Sequence, residues 1–221
     1  RLPMKNGPAA ARLPGLFALA YSTKTQPIPN QTLMTKARLI IVHGFMASPA
    51  NHWFTWLKAR AEALGMEVVI PAMPDSAAPD AQRWQETLRQ QVGQVDDRTF
   101  FVGHSLGCIT ALRYLSQRPD KERAGGIIMV SGFSEPVPTL PELDAFTAAP
   151  LVNLANLTGI AHRAVIASLN DEIVAPEYSL RLSQRLVAPL YGLPDGGHFL
   201  DRDGFDTLPL AETLLKQFVT P

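Results

Sequence analysis

Two rhythms of apolar and polar positions alternate along most of the chain. Ala37–Val42 is an unbroken apolar, β-branched run, the pattern of a strand buried on both faces. Trp53–Leu64 changes to helical spacing, with Trp53, Trp56, Leu57 and Leu64 on one side and Gly65 as a stop. Glu67–Ile70 reads as a second strand ended by Pro71. Asp80–Val95 reads as an amphipathic helix, with Trp84, Leu88 and Val92 at four-residue steps. Thr99–Val102, Gly126–Val130, Ala164–Ala167 and Leu190–Leu193 supply the third to sixth strands. Between and after them, Leu106–Gln117 (halted before Pro119), Pro176–Leu186 and Leu208–Val219 have helical spacing. Strand and helix in alternation demand a mainly parallel sheet of about six strands with helices on both faces, an α/β fold in three layers.

The rhythm fails in two places. Ser131–Ile160 has no clear strand and sets Pro136, Pro138, Pro141 and Pro150 among Leu and Phe residues. A connection of that length is either a lid or binding loop, or a packed surface excursion, and the pattern leaves both open. Residues 1–33 hold five prolines and no periodic apolar pattern. We read 1–35 as an irregular extension before a single domain at 36–221, with Met34 as the natural start. The competing reading is a secretory leader, for which Leu16–Ala20 is a barely sufficient apolar stretch.

Composition narrows the class. The apolar fraction is 46% of 221 residues, enough for a core that needs no disulfide or metal, and Cys108 is the single cysteine. Formal net charge is zero, but residues 1–33 carry four basic groups and no acidic one, so the remainder is acidic by four. No Lys/Arg run points to nucleic acid, no apolar run is long enough to span a bilayer, and no Cys/His cluster has metal-ligand spacing.

The sharpest chemical signal is Gly103-His104-Ser105-Leu106-Gly107, a G-x-S-x-G sequence between an apolar strand and a helix. A serine that points its hydroxyl out of so tight a turn takes a strained backbone, and side chains two residues to either side would clash. The bland alternative is Ser105 as an ordinary helix N-cap. A serine hydroxyl also needs a base. Of five histidines, only His162 and His198 follow Ser105. His162 falls at the N-terminal edge of the fifth strand, away from any site at the other edge. His198, in Asp195-Gly196-Gly197-His198-Phe199, follows the sixth strand at its C-terminal end, the edge where α/β sheets bind ligands. Asp171, after the fifth strand, is the expected acid, with Asn170 and Glu172 as neighbours. Asp195 is too close in sequence to His198 to orient it, and Asp201 and Asp203 read as solvated charges. The backbone amides of Leu106 and Phe45 are the expected oxyanion donors, with Gly44 allowing close approach. His43, Asn51, His52 and Asp75 are candidate substrate-binding residues. Of these, His43 is expected to hold its loop by hydrogen bonding, while Asn51, His52, Trp53 and Asp75 could line the site mouth or brace the first helix.

Together, Val42–Ser48, Asn51–Leu57, Met73-Pro74-Asp75, Gly103–Gly107 and Gly196–Phe199 resemble the α/β-hydrolase superfamily. More closely they resemble its small serine hydrolases of the YdeN and retinoblastoma-binding type, over Lys36 to about Val219. The resemblance implies an α/β-hydrolase fold with little or no cap domain, its first strand central and beside the nucleophile strand. It implies a Ser105–His198–Asp171 triad, no cofactor, a cytoplasmic setting, and small ester or amide substrates with small-acyl or aminoacyl preferences. Two alternatives stay open. One is a peptidase acting on a peptide N-terminus with the same triad, which calls for an acidic group such as Asp75. The other is a protein-binding module on a hydrolase scaffold.

Overall fold

The computed structural model describes residues 36–119 and 123–220, so the extension read at 1–35 lies outside the described residues. Six parallel strands form one sheet: β1 (Arg38–Val42), β2 (Glu67–Val69), β3 (Thr99–His104), β4 (Gly126–Val130), β5 (His162–Ser168) and β6 (Leu190–Leu193), in the order β2-β1-β3-β4-β5-β6. β1 lies beside β3, with Val42 opposite Gly103, but one place from the edge; β3 and β4 are the central pair.

Period-two alternation divides the core. Leu39, Ile41, Phe100, Val102, Ile128, Val130 and Ile166 face one layer, built from α1 (Phe54–Ala63) and the last long helix. Ile40, Val42, Phe101, Ile127, Met129 and Val165 face the other layer, which contains α2 (Ala81–Val92) and α3 (Leu106–Ser116). In α2 the four-residue steps bury Trp84, Leu88 and Val92, and Asp80 caps the helix by accepting from the Arg83 amide at 2.8 Å. Gly93, at φ 70°, ends it three residues sooner than the apolar pattern implies. α3 is buried along its entire length, so the helix behind Ser105 is wedged against the sheet.

Both ends of β5 run past the apolar run at 164–167. His162 is its exposed first residue, stacked on Phe218 at 5.0 Å, and Ser168 is its buried last. Between β4 and β5 the chain forms a 3₁₀ turn at Pro141–Leu143 and two short helices, α4 (Asp144–Thr147) and α5 (Leu154–Thr158). Phe133, Val137, Leu143, Phe146, Leu151 and Leu157 are buried there, so this connection is a packed excursion. Arg113 of α3 donates to the Phe146 and Ala149 carbonyls, and Asn153 and Asn156 donate to the Ser116 carbonyl. α6 (Pro176–Leu186) and α7 (Pro209–Val219) each place a proline in the first turn, where its missing N–H costs nothing.

All six strands being parallel, every strand-to-helix loop emerges at one edge. The chain leaves β1 towards β2 on one side and returns to β3 on the other. The loops after β1 and β3 therefore diverge and open a crevice, the general ligand position in such sheets.

Candidate active site

Ser105 follows β3 at φ 54° and ψ −123°, a conformation that L-residues avoid. Its side chain makes no capping bond to α3, which removes the N-cap reading. The turn is closed by the Ser105 amide donating to Val130 O and the Cys108 amide donating to Ser105 O, both at 2.9 Å. The flanking glycines are steric necessities. A Cβ on Gly107 would stand 2.0 Å from the Val42 carbonyl oxygen, and one on Gly103 would stand 2.8 Å from Cys108 Cα. Gly44 has the same purpose from the β1 side: its Cβ would meet Ser105 Cβ and the His104 carbonyl at 3.0 Å. Its smallness admits the Ser105 turn, a more local reason than approach of a substrate.

His198 and Asp171 meet beside this turn. His198 Nδ1 is 2.7 Å from Asp171 Oδ2, with both side chains almost wholly buried. The Asp171 carboxylate has a full set of donors. Oδ1 accepts from the Ile173 and Val174 amides at 2.9 Å, and Oδ2 accepts from His198 and from the Ser131 hydroxyl at 2.9 Å. A buried carboxylate is tolerable only when so satisfied. Its acceptor role fixes the proton of a neutral His198 on Nδ1, leaving Nε2 as the basic nitrogen.

The loop that carries His198 is held by side chains. Asn170 Oδ1 accepts from the Gly196 and Gly197 amides at 3.0 and 2.8 Å, and Ser168 Oγ accepts from Gly196 at 2.7 Å. Asp203 Oδ2 accepts from the His198 amide at 3.0 Å and the Leu200 amide at 3.2 Å. Asp203 is exposed, as its sequence position implied, and it is also a structural clamp. Phe199, fully buried and edge-on to Phe205 at 5.0 Å, plugs the same loop into the core. The holding roles of Ser131, Asn170 and Asp203 are not in the sequence pattern, which offers Asn170 only as a neighbour of Asp171 and Asp203 only as a loop charge. The one available signal was position, since Ser131 and Asn170 stand just past the ends of β4 and β5.

Ser105, His198, His104 and His52 line a cleft of about 550 Å³ together with Phe45, Met46, Thr139, Leu140, Glu142, Glu172, Ile173, Leu200, Asp201 and Arg202. The packed excursion therefore also forms one wall, through Thr139, Leu140 and Glu142. The other candidate residues fall elsewhere. His43 is buried, accepting from the Met73 amide at Nε2 and bonding the Gly44 carbonyl through Nδ1, both at 3.0 Å. Burial lowers its pKa, so it braces the loop as a neutral ring. Asn51 Oδ1 accepts from the Ser48 amide and hydroxyl, closing a turn. Asp75 is exposed, pairs with Arg83, and is not among the cleft-lining residues. Trp53 is wholly buried. Only His52 reaches the cleft, with its Nδ1 accepting from the Asp201 amide at 3.1 Å. Leu106 is the first residue of α3, so its amide has no partner within the helix. Cys108 lies beneath the turn, its thiol pKa pushed up by burial, which leaves it protonated and inert. Among the described residues no cluster of three or more His, Cys, Asp or Glu could hold a metal, and no helix is long and apolar enough to cross a membrane.

Residues 39–217 match the model of the serine hydrolase family. The chain belongs to that family. This serine hydrolase is 41% identical over 185 residues to YdeN of Bacillus subtilis (strain 168), covering 84% of this chain and 97% of YdeN. The crystal structure of the B. subtilis ydeN gene product superposes with a TM-score of 0.77 at 40% identity, covering 83% of this chain and 98% of that one. Serine hydrolase RBBP9 of Rattus norvegicus is similar at 22% identity over 183 residues, 82% of this chain and 96% of the relative. The α/β-hydrolase fold and a hydrolase activity follow from membership.

Proposed function

We propose that this hydrolase cleaves small carboxylic esters or amides through Ser105, His198 and Asp171, by way of an acyl-enzyme. The observation that carries the reading is the buried Asp171–His198 pair, at 2.7 Å, whose His198 lines one cleft with Ser105, the residue of a strained turn. His198 Nε2 takes the Ser105 proton as Oγ attacks the substrate carbonyl carbon. Asp171 holds the ring in the needed tautomer and stabilises the imidazolium. The carbonyl electron pair moves onto oxygen and is met by the amides of Phe45 and Leu106. Each such donor is worth on the order of 100- to 1000-fold in rate. Collapse of the tetrahedral species expels the alcohol or amine, which takes the proton from His198. Water, deprotonated by the same ring, then frees the acid and restores Ser105.

His52 is a further substrate contact in this reading. Its Nδ1 is occupied as an acceptor, so the neutral ring carries its proton on Nε2, a donor available to a polar atom of the substrate. A narrower reading, cleavage after a substrate's free amino terminus, is favoured by the acidic groups Glu142, Glu172 and Asp201 against the one cation Arg202 in the cleft lining. These replace Asp75 as the groups to bind an ammonium.

A fluorophosphonate probe tests the central claim. We expect it to label Ser105 in the folded protein, with labelling lost in S105A. A panel of simple esters and aminoacyl amides then separates the two substrate readings. Full p-nitrophenyl acetate hydrolysis by S105A would overturn the assignment.

A further inference from the structure

His104 is the residue of β3 immediately before Ser105, and it is 2% exposed. Its ring lies among four others, with centroids 5.1 Å from His198, 5.6 Å from His52, 5.7 Å from Phe54 and 5.9 Å from Trp53. Its Nε2 is 2.9 Å from the carbonyl oxygen of His198. A carbonyl only accepts, so the proton of His104 is on Nε2. Nδ1 is buried without a hydrogen-bond partner. Burial first, and then the neighbouring His198, hold the pKa of His104 well below the ordinary histidine value, so the ring stays neutral.

An apolar side chain of similar size would fill this position without the orphaned nitrogen, whose burial without a partner is costly. What the histidine adds beyond volume is the one bond from Nε2–H. That bond is well placed. The amide of His198 is clamped by Asp203, and the carbonyl of His198 is clamped by His104, so both backbone groups of this residue are fixed by side chains.

We infer that His104 is a positioning residue, whose hydrogen bond to the His198 carbonyl ties the nucleophile turn to the base-bearing loop and sets the distance between Ser105 and His198. Its kinetic consequence rests on the roles proposed above for these two residues. The tether itself does not.

Two variants test it. H104M keeps the volume and removes the donor. H104Q places an amide N–H near the position of Nε2. Backbone hydrogen exchange over residues 196–204 is measured beside kcat and KM on an ester. For H104M we expect exchange in this segment to quicken about tenfold or more. We expect kcat to fall about ten- to a hundredfold, with KM within about threefold of wild type. H104Q should recover most of both. The inference is overturned if H104M leaves segment exchange and kcat within about twofold of wild type. It is equally overturned if H104Q is as impaired as H104M, since the residue would then only fill space. If wild-type protein proved inert and unlabelled at Ser105, the proposed function would fail, while the exchange data would still decide the tether.

Discussion

The turn at Ser105 and the loop that carries His198 lie side by side, yet they are built by different means. The turn at Ser105 is made by backbone sterics: two glycines with carbonyl or Cα atoms against them, a strand before and a buried helix behind. The loop at Pro194–Gly204 has no such frame. Asn170, Ser168, Asp203 and His104 hold its amides and one carbonyl, and a buried Phe199 anchors it. The first region should respond to mutation by unfolding or by losing its chemistry outright. The second should remain folded and lose alignment. The contrast is between a turn whose geometry backbone contacts dictate and a loop whose geometry side chains hold.

The largest effect that would sharpen this contrast is chemical. S105A should fold normally and lose on the order of 10⁵- to 10⁶-fold in kcat, measured on an activated ester. D171N should lose about 10⁴-fold, because an amide in place of the carboxylate favours the wrong tautomer of His198. Its circular dichroism should be unchanged. Retention of more than a tenth of wild-type kcat in D171N would remove Asp171 from the acid role.

A smaller and more telling effect comes from exchanging the two regions' vulnerabilities. D203A should lower kcat about ten- to a hundredfold, by freeing the His198 and Leu200 amides, with a Tm shift of a few degrees. G107A should do the reverse. Its methyl has no room beside Val42 O, so we expect a loss of at least about 3 kcal/mol in urea unfolding before kinetics become measurable. A stable, kinetically crippled G107A, or an unfolded D203A, would break the comparison.

The same contrast explains what could be read from the sequence. The apolar runs set the strands, the four-residue steps set α2, and the glycine spacing around Ser105 is local chemistry written in five consecutive residues. That Asp171 and His198 come together was legible by topology, since each follows a strand at the edge where parallel sheets leave their loops. The clamps were not. Asp203 looks like any loop carboxylate until the chain folds back and the His198 amide points at it. Ser131 reaches Asp171 across 40 positions. Asp75 misled for the same reason: an acidic residue in a recognisable motif carries no record of whether it faces the cleft or, as here, Arg83. The β4–β5 connection was ambiguous because its prolines hide short helices whose apolar residues complete the core.

The smallest expected effect concerns His104, which belongs to both regions, and His43 beside it. In an unfolded chain each histidine titrates near pH 6.5. In the fold both have lowered pKa values, chiefly because burial penalises the charged ring. Below about pH 6.5 the unfolded chain therefore binds protons that the native state refuses, and stability falls as pH drops from there towards the native pKa values. Above that range the contribution is fully present. His52 acts in the same sense, its burial offset in part by Asp201. Tm measured from pH 8 to pH 5 should accordingly decline through the acid half of the range. In H104Q, where no ring is left to protonate, the slope should be shallower. If H104Q keeps the full wild-type slope, the acid sensitivity belongs to His43 and His52, and the contact between the Ser105 turn and the His198 loop is indifferent to pH.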